Sequence, residues 1–205
     1  MNTIVITPAY SHAHHELHRA IMRAGLPWLP LYEHSDLPRV RSALLEQALS
    51  TGAERIILVD ADTIPEGDAL ERLAQSPLVT PDRGVWGLYP LREGTQWSVR
   101  PVLPDLADRA IAAGDTFPIV SGGLGFSALH RASLERMVEA LAMPLVVEDT
   151  GAAWHPFCVP FVRGGRYHAD DGSLCWRLRE TGTALVCDPT LRAAHAVTQL
   201  IRGIR

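Results

Sequence analysis

Hydrophobic positions along the first third of the chain come in short unbroken runs separated by longer mixed stretches. Residues 3–7 are β-branched and apolar, and a helical pattern over about 11–24 follows. A short apolar run at 28–32 precedes a second helical stretch at 38–50, and Arg-Ile-Ile-Leu-Val at 55–59 reads as a strand buried on both faces. Continuous apolar strands alternating with helices of 10–15 residues predict βαβ units and a parallel sheet. Gly25 and Gly52 fall where helix C-caps belong, each just ahead of a strand. Further along, the pattern predicts strands at 84–89 and 117–120 and helices at 105–113 and 133–142. A helix over 170–180 follows, with Leu174 and Leu178 four apart. Gly182 ends that helix, 184–187 is a strand, Asp188-Pro189 a turn, and 191–197 carries His195. The expected fold class is α/β, a mixed, mostly parallel sheet flanked by helices. No internal repeat or low-complexity tract interrupts it.

At 205 residues the chain has the length of one domain, and 47% hydrophobic with 20% charged residues is enough to bury a full core. The net charge of −4 argues against gripping a polyanion, which takes clustered basic side chains. All 19 basic residues are arginine, so lysine-dependent chemistry, Schiff bases and P-loops included, is excluded. Cys158, Cys175 and Cys187 are scattered, odd in number and without CxxC spacing; they read as buried thiols in a reducing cytoplasm. No apolar stretch approaches the roughly 20 residues of a membrane span, and the run at Ile4-Val5-Ile6 is too short for a signal peptide. A soluble, cytoplasmic protein is expected.

The chemistry concentrates at Asp60-Ala61-Asp62, directly after four apolar strand residues. Ligands of open α/β sheets bind outside the carboxyl ends of strands. Two aspartates at i and i+2 can there turn both carboxylates to one ligand, a donor set suited to a hard divalent cation with phosphate. The plainer alternative has Asp60 capping the strand and Asp62 the helix after Pro65. Two other Asp-x-Asp chemistries fit less well. A haloacid-dehalogenase-type phosphatase would need a small residue where Thr63 stands and a later lysine. An EF-hand would need an oxygen ligand and a glycine where Ile64 and Pro65 stand.

Four blocks, in order, resemble the GT-A nucleotide-sugar glycosyltransferases, the compact family 2-like ones in particular, and together they cover most of the chain. Thr7-Pro8-Ala9-Tyr10 resembles the loop that cradles the nucleotide. Residues 38–45 resemble the Arg-Asn-x-Leu helix, with Arg41 in place and Ser42 where the family has Asn. Asp60-Ala61-Asp62 resembles the Asp-x-Asp motif. Asp170-Asp171 and the Cys175-Trp176-Arg177 that follow resemble the late Glu-Asp-x-x-Phe-Cys-x-Arg helix, with Asp170 for Glu; Gly182, Cys187-Asp188-Pro189 and His195 come after, as in the family. The resemblance implies a single GT-A-like domain over 1–205, residues 1–90 its nucleotide-binding half and 91–205 its acceptor and catalytic half.

It further implies a metal-dependent glycosyltransferase that moves a sugar from a nucleotide-diphosphate sugar to a hydroxyl acceptor, with inversion favoured and a retaining enzyme as the alternative. Asp62 and His195 would hold Mn²⁺ or Mg²⁺, with Asp60 at the ribose or in the metal's outer shell. Pro8, Ala9, Tyr10, Arg41, Gly122 and Gly123 would bind the donor. Asp171 would be the base that deprotonates the acceptor, with Asp170 beside it; a carboxylate at a helix N-terminus is expected to stay ionised with no raised pKa. A binding-only domain of the same fold is the rival, kept open by Ser42 and Asp170. Nucleotidyl transfer is disfavoured because no Gly-rich, Arg-bearing loop follows the first strand. Nucleic acid is an unexpected acceptor except as a modified base.

The remaining constellations have plainer readings. Gly123-x-Gly125-x-x-Ala128 formally matches a dinucleotide fingerprint but lies too late to open a Rossmann domain. It reads as a Gly-rich turn, either approaching a sugar or, for Gly122, simply structural. His12, His14, His15 and His18 read as solvent-facing, despite the i, i+4 spacing of His14 and His18. Without the resemblance His195 reads as a core histidine. Asp170 and Asp171 open a helix, so one is expected to cap it and the other to face the cleft. Trp86, Tyr89 and Trp97 divide between an acceptor pocket and the core, with the core favoured.

Overall fold

The computed structural model describes residues 2–32, 35–91 and 96–196. In chain order the first half runs β1 (Thr3–Pro8), α1 (His15–Ala24), β2 (Trp28–Leu31), α2 (Leu37–Ser50), β3 (Arg55–Val59), β4 (Thr63–Pro65), α3 (Ala69–Gln75) and β5 (Arg83–Leu88). The second half runs β6 (Val99–Pro101), α4 (Pro104–Ala113), β7 (Phe117–Gly122), β8 (Phe126–His130), α5 (Arg131–Ala140), β9 (Val146–Val147), β10 (Ala153–Trp154), β11 (Phe161–Arg163), β12 (Arg166–His168), α6 (Asp170–Glu180) and β13 (Ala184–His195). Among the described helices none is long and apolar enough to cross a membrane.

The main sheet is mixed, in the order β2-β1-β3-β8-β5-β13-β7-β6, with β4 paired to β13. Its first strands are parallel, as the alternation of runs and helices requires: Val5 lies beside Trp28 and Ile57. Alternate strand residues face opposite sides, and each side has its own helices. Ile4, Ile6, Ile56 and Leu58 pack with Leu44 and Leu45 of α2, Leu134 of α5 and Leu174 and Leu178 of α6. Val5, Ile57 and Val59 pack with Leu17 and Ile21 of α1 and Leu70 and Leu73 of α3. Cys158, Cys175 and Cys187 are free and buried, and burial pushes their thiol pKa values up.

Three elements depart from the sequence reading. The first helix starts at His15 instead of residue 11, because the His14 ring accepts the Glu16 N–H at 3.3 Å and caps it. The Asp188-Pro189 turn does not end the late strand. Asp188 accepts both the Thr190 N–H at 3.0 Å and its hydroxyl at 2.6 Å, which builds a bulge within β13 while the strand continues to His195. Phe126–His130 is a strand, β8, where the sequence reading placed only the exit of a glycine turn. It runs antiparallel between β3 and β5, opposite Leu58 and Val59 on one side and Val85 on the other.

Candidate functional site

The strand directions bring five chain segments to one edge of the sheet. β1, β3, β5 and β13 end there, and antiparallel β8 begins there. The Asp60 N–H donates to Gly125 O at 3.1 Å, tying the carboxylate pair to the glycine turn. β4 lies antiparallel to the end of β13 with Thr63 opposite His195, which sets the histidine beside Asp62.

Under this edge lies Arg41, only 3% exposed. Its Nη2 donates to both oxygens of Asp60, at 2.7 and 2.8 Å, and its Nη1 donates to Asp171 at 2.5 Å and to Asp170. Burial opposes the guanidinium charge, but Asp60, Asp171 and Asp170 outweigh it and hold its pKa well above the ordinary arginine value. Arg41, expected at the nucleotide, sends all of its described hydrogen bonds to the carboxylates beneath the cleft. The expectation that Asp170 and Asp171 diverge is corrected. Both reach the same guanidinium, and neither caps α6, whose N-cap is Ala169.

Asp171 is also not the unperturbed carboxylate that a helix N-terminus suggested. Burial, then the neighbouring Asp170 and Asp60, push its pKa up to about 6, against the opposing pull of Arg41 and the Leu124 N–H. A helix dipole acts from exposed N–H groups, and here desolvation is the larger effect.

His195 accepts nothing at Nδ1, because the atom 2.9 Å away is the carbonyl oxygen of Pro90. Nδ1 thus carries a proton, and Nε2 lies 3.7 Å from Asp62 Oδ1. A metal-binding imidazole is commonly oriented this way, with its second nitrogen donating to a backbone carbonyl. The Tyr89 ring meets it edge-on at 5.4 Å. Four carboxylates against one buried guanidinium leave the cleft net negative, a balance that a divalent cation complements. Asp62 and His195 thus fit a metal site. No cluster of three or more candidate ligands occurs among the described residues, so a cation there would take its other ligands from phosphate and water.

A cavity of about 260 Å³ opens on the first side of the pair, with Pro8, Tyr10, His12, His14, Asp60 and Asp62 in its wall. Tyr10 is 73% exposed at its rim. Ala9 is buried, its N–H donating to Leu31 O at 2.9 Å, so it shapes the loop from below. On the other side a cavity of about 580 Å³ reaches from Trp97 and Arg100 past Gly122 and Gly123 to Asp171. Trp86 and Tyr89 are core residues, as favoured, while Trp97 is 44% exposed on the cavity.

The glycines have protein partners. A Cβ on Gly122 would lie 2.5 Å from the Trp86 ring, and one on Gly123 would lie 2.4 Å from the Tyr89 hydroxyl. That hydroxyl accepts the Gly125 N–H at 3.0 Å. Ser42, where the family has Asn, is wholly buried; it donates to Pro38 O at 2.8 Å and accepts the Cys158 N–H at 3.0 Å. Sequence reasoning missed Pro90, whose carbonyl meets His195, and Arg100 and Ser121, which strand register sets opposite each other on the larger cavity; no local motif signals any of them.

No protein-family model matches the sequence, and no curated protein matches it significantly. Solved structures do. The A197 protein of STIV superposes with a TM-score of 0.61 at 15% identity, over 96% of this chain and 86% of that one. GalNAc-T7, crystallised with UDP, GalNAc and Mn²⁺, superposes with a TM-score of 0.56 at 11% identity, over 95% of this chain. The chain spans 44% of the length of GalNAc-T7. The architecture is a GT-A-type fold, the fold that the sequence blocks led us to expect.

Proposed function

We propose that the protein is a metal-dependent glycosyltransferase that moves a sugar from a nucleotide-diphosphate sugar to a hydroxyl acceptor with inversion. The carrying observation is that Arg41 joins Asp60, which shares one cavity wall with Asp62, to Asp171 at the other cavity, with His195 Nε2 3.7 Å from Asp62, on a GT-A fold. A divalent cation held by Asp62 and His195 would neutralise the charge that builds on the departing diphosphate. The Pro8–Tyr10 loop and Asp60 form the wall of the donor cavity, and Tyr10 offers a ring face to the base. His195 is kept in the metal-binding tautomer by Pro90 O. Asp171 takes the acceptor proton as the acceptor oxygen bonds to the anomeric carbon and the diphosphate leaves. Its pKa of about 6 lies close to a neutral working pH, where a general base is most effective. Arg41 positions both Asp60 and Asp171 and touches no substrate.

The test is release of free nucleoside diphosphate from a panel of UDP-, GDP- and TDP-sugars by the purified chain with Mn²⁺. Release by at least one donor, abolished by EDTA, is the expected result. Donor binding without any release, with or without acceptors, points to the binding-only domain instead.

A further inference from the structure

Beside the 580 Å³ cavity that ends at Asp171, where the acceptor would lie, is another of about 560 Å³ that the catalytic reading leaves unused. Arg100, Arg163, Arg166 and Arg179 line it, and no Asp or Glu does. In a chain with 23 acidic and 19 basic residues, four arginines around one cavity are a marked local excess of positive charge. None of the four has a carboxylate within ion-pair distance among the described residues.

Two of them are held in an arrangement that opposes itself. β11 and β12 form a hairpin closed by Gly164 and Gly165 at φ 57° and 72°, a turn that fixes its register. That register sets Arg163 directly opposite Arg166. Like charges in such a cross-strand pair repel each other, and a bound anion relieves the repulsion. The Arg163 guanidinium lies 4.5 Å over the Trp176 ring, so its position is fixed in advance by stacking. Arginine pairs of this kind recognise the oxygens of phosphate in a bidentate way.

The two cavities share Arg100, Ser121 and Gly172, and the first of them ends at Asp171. One molecule can therefore place a hydroxyl at Asp171 and an anionic group among the arginines. Resting on the glycosyltransferase reading above, we propose that the acceptor is phosphate-bearing, its phosphate held by Arg100, Arg163 and Arg166 while its hydroxyl meets Asp171.

Calorimetric titration of the whole chain tests this with donor and metal absent and EDTA present, so its outcome does not depend on catalysis. The probes are glucose 6-phosphate, glucose and phosphatidylglycerol vesicles. Saturable binding of glucose 6-phosphate and none of glucose is expected. An Arg163→Ser/Arg166→Ser variant should bind at least tenfold more weakly, and Arg100→Ser, on a different element, severalfold more weakly. Binding of the vesicles alone, lost in the same variants, also supports the phosphate site and assigns its source to a lipid. No binding of glucose 6-phosphate or of the vesicles, equal binding of glucose and glucose 6-phosphate, or equal binding by the variants overturns the proposal. So does binding of single-stranded oligonucleotides that strengthens with their length, which would mark the arginines as a nucleic-acid track. A chain that binds glucose 6-phosphate yet never releases nucleoside diphosphate would keep the anion site and lose the glycosyltransferase reading.

Discussion

With its guanidinium among three carboxylates, Arg41 is the residue on which the charge balance of the cleft depends. Asp60, Asp170 and Asp171 have side chains that stay 20–36% exposed, so each retains some hydration. Removing one partner from a buried ionic cluster is strongly destabilising, because the others are left uncompensated. Arg41→Ala should lower unfolding stability by about 3 kcal/mol at pH 7 in urea denaturation, the low end for buried pairs given that hydration. The deficit should shrink at pH 5, where orphaned carboxylates take up protons. A deficit that is flat with pH would mean that lost packing, not charge, is the cause. Asp171 gives the second test at this scale. Its native pKa of about 6 exceeds the ordinary 3.8, so the folded protein binds that proton more tightly than the unfolded chain. The stability this contributes is fully present below pH 3.8 and is lost as pH rises through about 6. Activity runs the other way, because the base must be ionised. Transfer by the wild type should rise with pH through about 6 and then level. Asp171→Asn should lose that rise and about 10²–10⁴-fold of transfer, with donor affinity nearly unchanged. An unaltered pH profile in the variant places the base elsewhere.

At the scale of elements, the glycine turn between β7 and β8 is shaped by the ring beneath it. The Tyr89 hydroxyl occupies the space a Cβ would need at Gly123 and, at 2.7 Å, at Gly125. Gly123→Ala should cost about 1–3 kcal/mol through overpacking. In a Tyr89→Phe background that cost should fall clearly, since the hydroxyl is the only atom closer than 3.4 Å. Tyr89→Phe alone should cost about 1 kcal/mol for the hydrogen bond from Gly125. A double-mutant cycle by urea denaturation measures the coupling, and strictly additive losses would show that the turn yields in some other way. The same elements show what the chain reveals locally. Arg55–Val59 and Asp170–Glu180 were legible because apolar runs, periodicity and Gly182 mark them without outside help. β8 was not, because Phe-Ser-Ala-Leu-His has no clear alternation and becomes a strand through pairing with β3 and β5 on both sides. The Asp188-Pro189 turn signal was real, but register with β5 made it a bulge. The direction of Asp170 and Asp171 was hidden for a similar reason: it is set by Arg41, about 130 residues earlier.

At the scale of the whole molecule, the candidate site exists because a mixed sheet collects at one edge what the chain keeps far apart, Asp62 and His195 being 133 positions from each other. Asp60-Ala61-Asp62 could be found from the end of a strong apolar strand, whereas His195 was suggested only by family resemblance. Its neighbours Ala193, Ala194 and Ala196 carry no chemical signal. What fixes it is β4, three residues pairing with β13 immediately after the aspartates. The histidine is held from three directions: backbone pairing opposite Thr63, the Nδ1–H bond to Pro90 O, and the edge of Tyr89. This support separates two roles that a substitution would otherwise confuse. If Nε2 serves a cation, His195→Ala removes one of two protein ligands and should raise the Mn²⁺ concentration for half-maximal donor hydrolysis at least tenfold, while saturating Mn²⁺ recovers much of the rate. His195→Gln, which keeps the volume and offers a weaker oxygen or nitrogen ligand, should fall between. Both variants should unfold within about 1 kcal/mol of wild type, because the loss is of one hydrogen bond to the half-buried Pro90 carbonyl. A large fall in melting temperature with an unchanged Mn²⁺ requirement would make His195 a structural residue. It would leave Asp62 as the one protein ligand among those proposed.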